Sequence, residues 1–168
     1  MGQVVRICRH EEFELAHLLD NYDGACAHLH GHSYKAEITV ESYIDEAVGM
    51  VLDFNILKKI IKDVIPDHYF ISDSRFDNED SFQSKLRALF DEYGKRYKAW
   101  PFRATAENMV CYFAKEIQKK LPADVFVVNI KLYETTNSYA EWRIEDHPSF
   151  TYDKFRKEHV FYGSGKRN

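Results

Sequence analysis

The sequence predicts an α+β fold, an antiparallel β-sheet with two main helices on one face. Three observations carry this expectation. Residues 32–43, HSYKAEITVESY, alternate with a period of two. Leu57, Ile60, Ile61 and Val64 recur at helical spacing, and so do Val110, Phe113, Ala114 and Ile117. Residues 125–134, VFVVNIKLYE, return to the two-residue period.

The elements follow in chain order. The first 17 residues read as a strand with a bulge near Arg9–Glu11, on which Phe13, Leu15 and His17 share one face. A long connection from Leu18 to Leu29 leads to the second strand, where His32, Tyr34, Ala36, Ile38 and Val40 share a face. Asp53 caps the first main helix and Pro66 closes it. The segment 71–104 reads as an insertion with its own helix, marked by Phe82, Leu86, Leu89, Phe90 and Tyr93. Thr105 caps the second main helix and Pro122 ends it. In the next strand Phe126, Val128, Ile130 and Leu132 point one way, with Glu134 on their parity. The turn Thr135–Thr136–Asn137 then leads to a last strand at 138–144. The tail from Glu145 to Asn168 is charged and aromatic, without a firm assignment. With 168 residues and no repeat or Gly/Ser linker, one domain over residues 1–168 is expected.

A net charge of -4 argues against a general nucleic-acid binder, although a local basic pocket for a small anion remains compatible with it. No apolar run approaches the roughly 20 residues that span a bilayer, so no membrane association is expected. Three cysteines without a CxxC pair argue against a disulfide framework and for a reducing, cytoplasmic setting.

The stretch CAHLHGH, residues 26–32, concentrates the chemistry. His30 and His32 project from one strand face, and His17 ends the preceding strand on its apolar parity. If the strand ends align, three imidazoles converge, the pattern of a catalytic zinc site with a free fourth position. The plainer alternative is three unrelated histidines near a turn. Gly31 lets the backbone pass closely. His28 shares their parity but precedes the strand, which makes it a loop residue. Cys26 has three readings: a ligand, a nucleophile or base with a lowered thiol pKa, or a packed loop thiol. Cys8 and Cys111 lie on regular elements and read as packed thiols. Asp67–His68 has the composition of an oriented general base, although sequence neighbours need not touch. Glu134, on a buried strand face, needs a partner: a cation, a cap, or the NH-rich edge of a ligand. Glu107 reads as a helix N-terminal charge.

Taken together, FELAH (13–17), CAHLHGHSY (26–34), DFNILK (53–58), PDHYF (66–70), TAEN (105–108) and YETTNS (133–138) resemble the 6-pyruvoyltetrahydropterin synthase/6-carboxytetrahydropterin synthase family. The resemblance implies a T-fold (tunnelling fold) that assembles through its sheets into a barrel, as a homohexamer built from two trimers with active sites between subunits. It implies zinc (Zn2+) on His17, His30 and His32, with Cys26 as a proton acceptor rather than a ligand. Asp67 and His68 match a catalytic pair supplied by a neighbouring subunit. Glu134 matches the anchor for the pterin's amino-pyrimidine edge and is counted with the catalytic set. Thr135, in the turn after it, and the backbone of Thr105 and Ala106 match further substrate contacts.

The three-residue gap between Cys26 and His30 resembles the 6-carboxytetrahydropterin synthases of 7-deazaguanine (queuosine) biosynthesis. The implied reaction converts 7,8-dihydroneopterin triphosphate to 6-carboxytetrahydropterin, acetaldehyde and triphosphate. Two alternatives accompany it: a 6-pyruvoyltetrahydropterin synthase of biopterin synthesis, and a non-enzymatic zinc-stabilised or pterin-binding module. Cys26 argues against the folate-linked branch, which has glutamate there. The long segment 71–104 and the extended tail at 145–168 depart from compact members of the family.

Overall fold

The protein is described by a computed structural model that covers residues 2–76, 78 and 80–147. Strands β1 (Val4–His17) and β2 (His30–Tyr43) form the spine. They pair antiparallel without interruption from Val4↔Tyr43 to His17↔His30, so the expected bulge near Arg9–Glu11 is absent. Unbroken alternation on both strands lets every residue find its opposite number. Strand β5 (Phe126–Thr135) pairs with β2, and β6 (Ser138–Arg143) pairs with β5, both antiparallel.

This antiparallel core matches the expected sheet, and the structure extends it. Two short strands, β3 (Tyr69–Asp73) and β4 (Tyr97–Trp100), join in parallel on the other side of β1. The six-stranded order is β4-β3-β1-β2-β5-β6. The two strands bracket helix α2 (Phe82–Glu92), so the segment 71–104 continues the sheet instead of standing apart from it. At four and five residues these strands are too short for periodicity to reveal them.

Helices α1 (Phe54–Val64) and α3 (Ala106–Gln118) cover one face of the sheet. Asp53 caps α1 by accepting the Asn55 N–H at 2.6 Å. Thr105 holds the N-cap position of α3, but its side chain makes no capping bond. Leu57, Ile61 and Val64 meet Met109, Val110, Phe113, Ala114 and Ile117 over Tyr34, Ala36, Ile38 and Val40, all buried. Each fully buried aliphatic or Phe side chain contributes about 1.5–3 kcal/mol of transfer free energy.

Two apolar expectations shift. In β5 a register change opposite Thr39/Val40 reverses the parity at its start, so Val127 is buried while Phe126 and Val128 are only half-buried. Ile130 and Leu132 keep the expected face. The expected extra helix forms as α2, but its apolar residues divide: Phe82, Leu89 and Tyr93 are exposed, whereas Leu86 and Phe90 are half-buried and Phe90 meets Phe70 at 5.5 Å. The helix also buries Gln83. The tail beyond His147 lies outside the described residues.

Candidate metal centre and active site

The β1–β2 register brings the histidines together. His17 sits opposite His30, and Leu15 sits opposite His32. A Cβ on Gly31 would meet the Leu15 carbonyl oxygen at 3.2 Å, so this crossing favours glycine between the two histidines. The ligand atoms of His17, His30 and His32 lie within 4.8 Å of one another. The Nε2 atoms of His17 and His30 are 3.1 Å apart.

The second ring nitrogens fix which atom faces inward. His17 Nδ1–H donates to the Ala104 carbonyl at 2.5 Å, and His30 Nδ1–H donates to the His28 carbonyl at 2.7 Å. A carbonyl only accepts, so both rings carry their proton on Nδ1 and present the Nε2 lone pair. Two lone pairs this close repel unless a cation lies between them. A zinc–imidazole bond of about 2.0–2.1 Å reaches both nitrogens. Burial pushes the pKa of His17 down, which favours the neutral imidazole a metal needs. The donor set therefore fits a divalent metal such as zinc, and the backbone carbonyls act as its outer shell.

The Ala104 carbonyl is itself positioned by packing. Trp100 at the end of β4 stacks on Phe102 at 5.2 Å and meets Tyr112 of α3 at 5.0 Å. That aromatic clamp sets the path of 101–105 into α3. Thr105 and Ala106 thereby lie next to the residue that orients His17, with Ala106 buried and Thr105 half-buried.

Glu134 lies beside the cluster. Its Oε1 is 3.7 Å from His17 Nε2 and 3.6 Å from His32 Nε2. It also accepts the Tyr34 hydroxyl at 3.0 Å. Tyr34 is fully buried, and burial together with Glu134 and Cys26 pushes its pKa up, so it stays a donor at any ordinary pH. This Tyr34–Glu134 bond could not be read from sequence because 100 residues separate the partners. Thr135 is exposed, and its Oγ1 accepts the Asn137 N–H in the β5–β6 turn.

Cys26 lies on a short 3-10 turn, Ala25–Ala27, and is half-buried. It is not in the group of metal-capable side chains, which comprises the three histidines among the described residues. A thiolate at Cys26 would add, after burial and Glu134, to the causes that raise the Tyr34 pKa. His28 is exposed on the loop as expected, and its carbonyl orients His30.

Asp67 and His68 do touch: His68 Nδ1 and Asp67 Oδ1 are 2.8 Å apart. The pair is docked on β1 at Glu14, whose N–H donates to Asp67 at 2.9 Å and whose carbonyl accepts the His68 N–H at 2.7 Å. His68 adopts φ 61°, a left-handed backbone costing of order 1–3 kcal/mol that these bonds hold in place. The Glu14 N–H, more than His68, keeps the Asp67 carboxyl below its ordinary range. The pair is exposed, and among the described residues no hydrogen bond or ion pair joins it to the three histidines. A shallow groove of about 710 Å³ runs from His32 past His68 to Lys95 and Arg96.

With this geometry in place, comparison with known proteins is decisive. Residues 6–145 match the family model described as 6-pyruvoyl tetrahydropterin synthase. The chain belongs to that family. A Haemophilus influenzae protein named 6-carboxy-5,6,7,8-tetrahydropterin synthase is 32% identical over 144 residues, covering 82% of this chain and 98% of its own. An Aquifex aeolicus protein of the same name is 36% identical over 129 residues, 71% of this chain and 76% of its own. Among solved structures, Caenorhabditis elegans 6-pyruvoyl tetrahydropterin synthase matches with a TM-score of 0.59 at 21% identity, covering 84% of this chain and 96% of its own. That of Plasmodium vivax matches with a TM-score of 0.61 at 17% identity, covering 83% and 97%. These structural likenesses establish the T-fold architecture. Among the described residues no helix is long and apolar enough to cross a membrane.

Proposed function

We propose that the protein is a zinc-dependent 6-carboxy-5,6,7,8-tetrahydropterin synthase acting on 7,8-dihydroneopterin triphosphate. The observation that carries this reading is the convergence of the His17, His30 and His32 imidazoles beside Glu134, with Cys26 outside the ligand group. Relatives bearing this enzyme's name support it.

His17, His30 and His32 hold the metal, which when bound supplies Lewis acidity toward the substrate's side-chain oxygens. Glu134, oriented by Tyr34, accepts from the amino-pyrimidine edge of the pterin. Backbone groups at Thr105 and Ala106 and the Thr135 turn close around the ring. Cys26 takes the proton from the side-chain carbon. Asp67 and His68 relay it; their exposure and distance from this chain's histidines suit a pair that serves the site of a neighbouring copy. A homohexamer of two trimers would bring such a pair into place. The product would feed queuosine and other 7-deazaguanine synthesis in the cytoplasm. Cys8 and Cys111 are exposed free thiols, not the packed ones expected from their place on regular elements, and a reducing compartment would keep such thiols reduced. The domain is a single unit of 1–168, with 71–104 as an elaboration of the sheet edge and 145–168 as an appended tail.

The test is mass-spectrometric analysis of products after zinc-loaded protein meets 7,8-dihydroneopterin triphosphate under reducing, anaerobic conditions. 6-Carboxytetrahydropterin with acetaldehyde is expected. A 6-pyruvoyl product without acetaldehyde would place the chain with the biopterin enzymes. No turnover by folded, zinc-loaded protein would overturn the enzyme reading.

A further inference from the structure

Gln83 is the one polar side chain that α2 buries completely, at 0% exposure. A buried amide without partners costs about 1–3 kcal/mol, so its contacts matter. Its Oε1 accepts the backbone N–H of Asp73 at the end of β3, at 2.7 Å. Its Nε2 donates to Asp20 Oδ2 at 2.5 Å. One side chain thus ties the segment between β3 and β4 to the loop between β1 and β2.

Asp20 belongs to the loop that carries Cys26. Its neighbour Leu19 closes that loop by donating its N–H to the Cys26 carbonyl at 2.8 Å. A second tie reaches the same point: Arg103 donates to the Asp20 carbonyl at 2.6 Å. Arg103 directly precedes Ala104, the residue that orients His17. The base of the cysteine loop is therefore held by the inserted helix on one side and by the approach to α3 on the other.

We infer that Gln83 is a positioning residue: through Asp20 it fixes the loop that presents Cys26 to the histidine cluster. The inserted helix thereby becomes part of the active-site scaffold. Phe90 of α2 also packs on Phe70 at 5.5 Å, so apolar contact holds the helix on β3 while the two Gln83 bonds set its position relative to the Asp20 loop. The role assigned to Cys26 rests on the proposed function, whereas the contact with its loop does not.

The test exploits the direction of the two bonds. Gln83→Glu keeps an acceptor for the Asp73 N–H but sets a carboxylate against Asp20. Gln83→Glu with Asp20→Asn reverses donor and acceptor and restores the tie. Zinc-loaded wild type and variants are compared for the alkylation rate of Cys26, read by peptide mass spectrometry so that Cys8 and Cys111 do not interfere, and for kcat and KM. In Gln83→Glu the alkylation rate should move by more than about threefold and kcat should fall about tenfold with KM nearly constant, both recovering in the double variant. An alkylation rate within about threefold of wild type in folded Gln83→Glu, or no recovery in a folded double variant, overturns the inference. Should Gln83→Glu fail to fold, Asp20→Ala removes the same bond from the loop side and is read by the same criteria. If wild type shows no turnover, the proposed function fails, and the alkylation rates alone still decide the role of Gln83.

Discussion

His17 and His30 face each other across the β1–β2 ladder with their Nε2 atoms 3.1 Å apart, and each gives its Nδ1 proton to a backbone carbonyl. Two lone pairs are thus aimed at one point by the backbone. His30→Ala should weaken metal affinity by more than the 10–100-fold that losing an outer-shell partner typically costs. Activity should disappear with the metal. Metal content after dialysis checks this; full stoichiometry in the variant would refute the three-histidine site.

Gly31 separates the two histidines of β2 and lies against the Leu15 carbonyl, leaving 3.2 Å for any Cβ. Gly31→Ala should push β1 and β2 apart at the site. We expect a loss of about 1–3 kcal/mol in stability, with weakened metal binding, measured by thermal unfolding and metal titration. An unchanged midpoint and affinity would show that the crossing relaxes freely.

Cys26 stands outside the ligand group formed by the three histidines. Cys26→Ala should therefore keep full metal content while kcat falls by about 10²-fold or more, the usual scale for losing a general base. Metal loss in this variant would make Cys26 a ligand.

Tyr34 donates to Glu134 at 3.0 Å from a fully buried position. Tyr34→Phe removes a charge-assisted bond worth about 1.5–3 kcal/mol and frees Glu134 to turn. KM should rise roughly tenfold or more with kcat less affected. Glu134→Ala should act in the same direction and more strongly. A collapse of kcat at constant KM in Glu134→Ala would make Glu134 catalytic instead of an anchor.

Asp67 has its pKa lowered by the Glu14 N–H and then by His68. A group whose folded pKa is depressed adds stability above its unfolded value of about 3.9, and loses it as pH falls through the folded value. Wild type should be more stable than Asp67→Asn near neutrality, with the difference closing below about pH 4. Paired urea melts across that range would show it; a difference independent of pH would mean that the carboxylate charge is irrelevant.

Much of this was legible in the chain because it depends on local patterns. The parity of Phe13, Leu15 and His17 against His32, Tyr34 and Ala36 needs only the two-residue period. Alternation excludes one-residue slips but leaves two-residue ones open, so the observed pairing was needed to set His17 opposite His30. The helical stripes of α1 and α3 were equally readable, since burial follows the 3.6-residue period. The short strands β3 and β4 carry too few residues for any period to show. The parity change in β5 depends on a bulge that only pairing with β2 reveals. The apolar residues of α2 announced the helix but not which of them would be covered: Phe90 packs on Phe70 while Leu89 stays exposed.

By itself, then, the sequence determined the antiparallel core, the two covering helices, the parity that puts His17, His30 and His32 on apolar faces, and the family motifs. These follow from periodicity and from residue types at short separations. Only the tertiary structure decided the tautomers of His17 and His30, the grip of Tyr34 on Glu134, the docking of Asp67–His68 on Glu14, and the bond from Gln83 to Asp20. Each joins groups whose encounter depends on how whole elements pack, and no local pattern encodes a hydrogen bond between residues 63 or 100 positions apart.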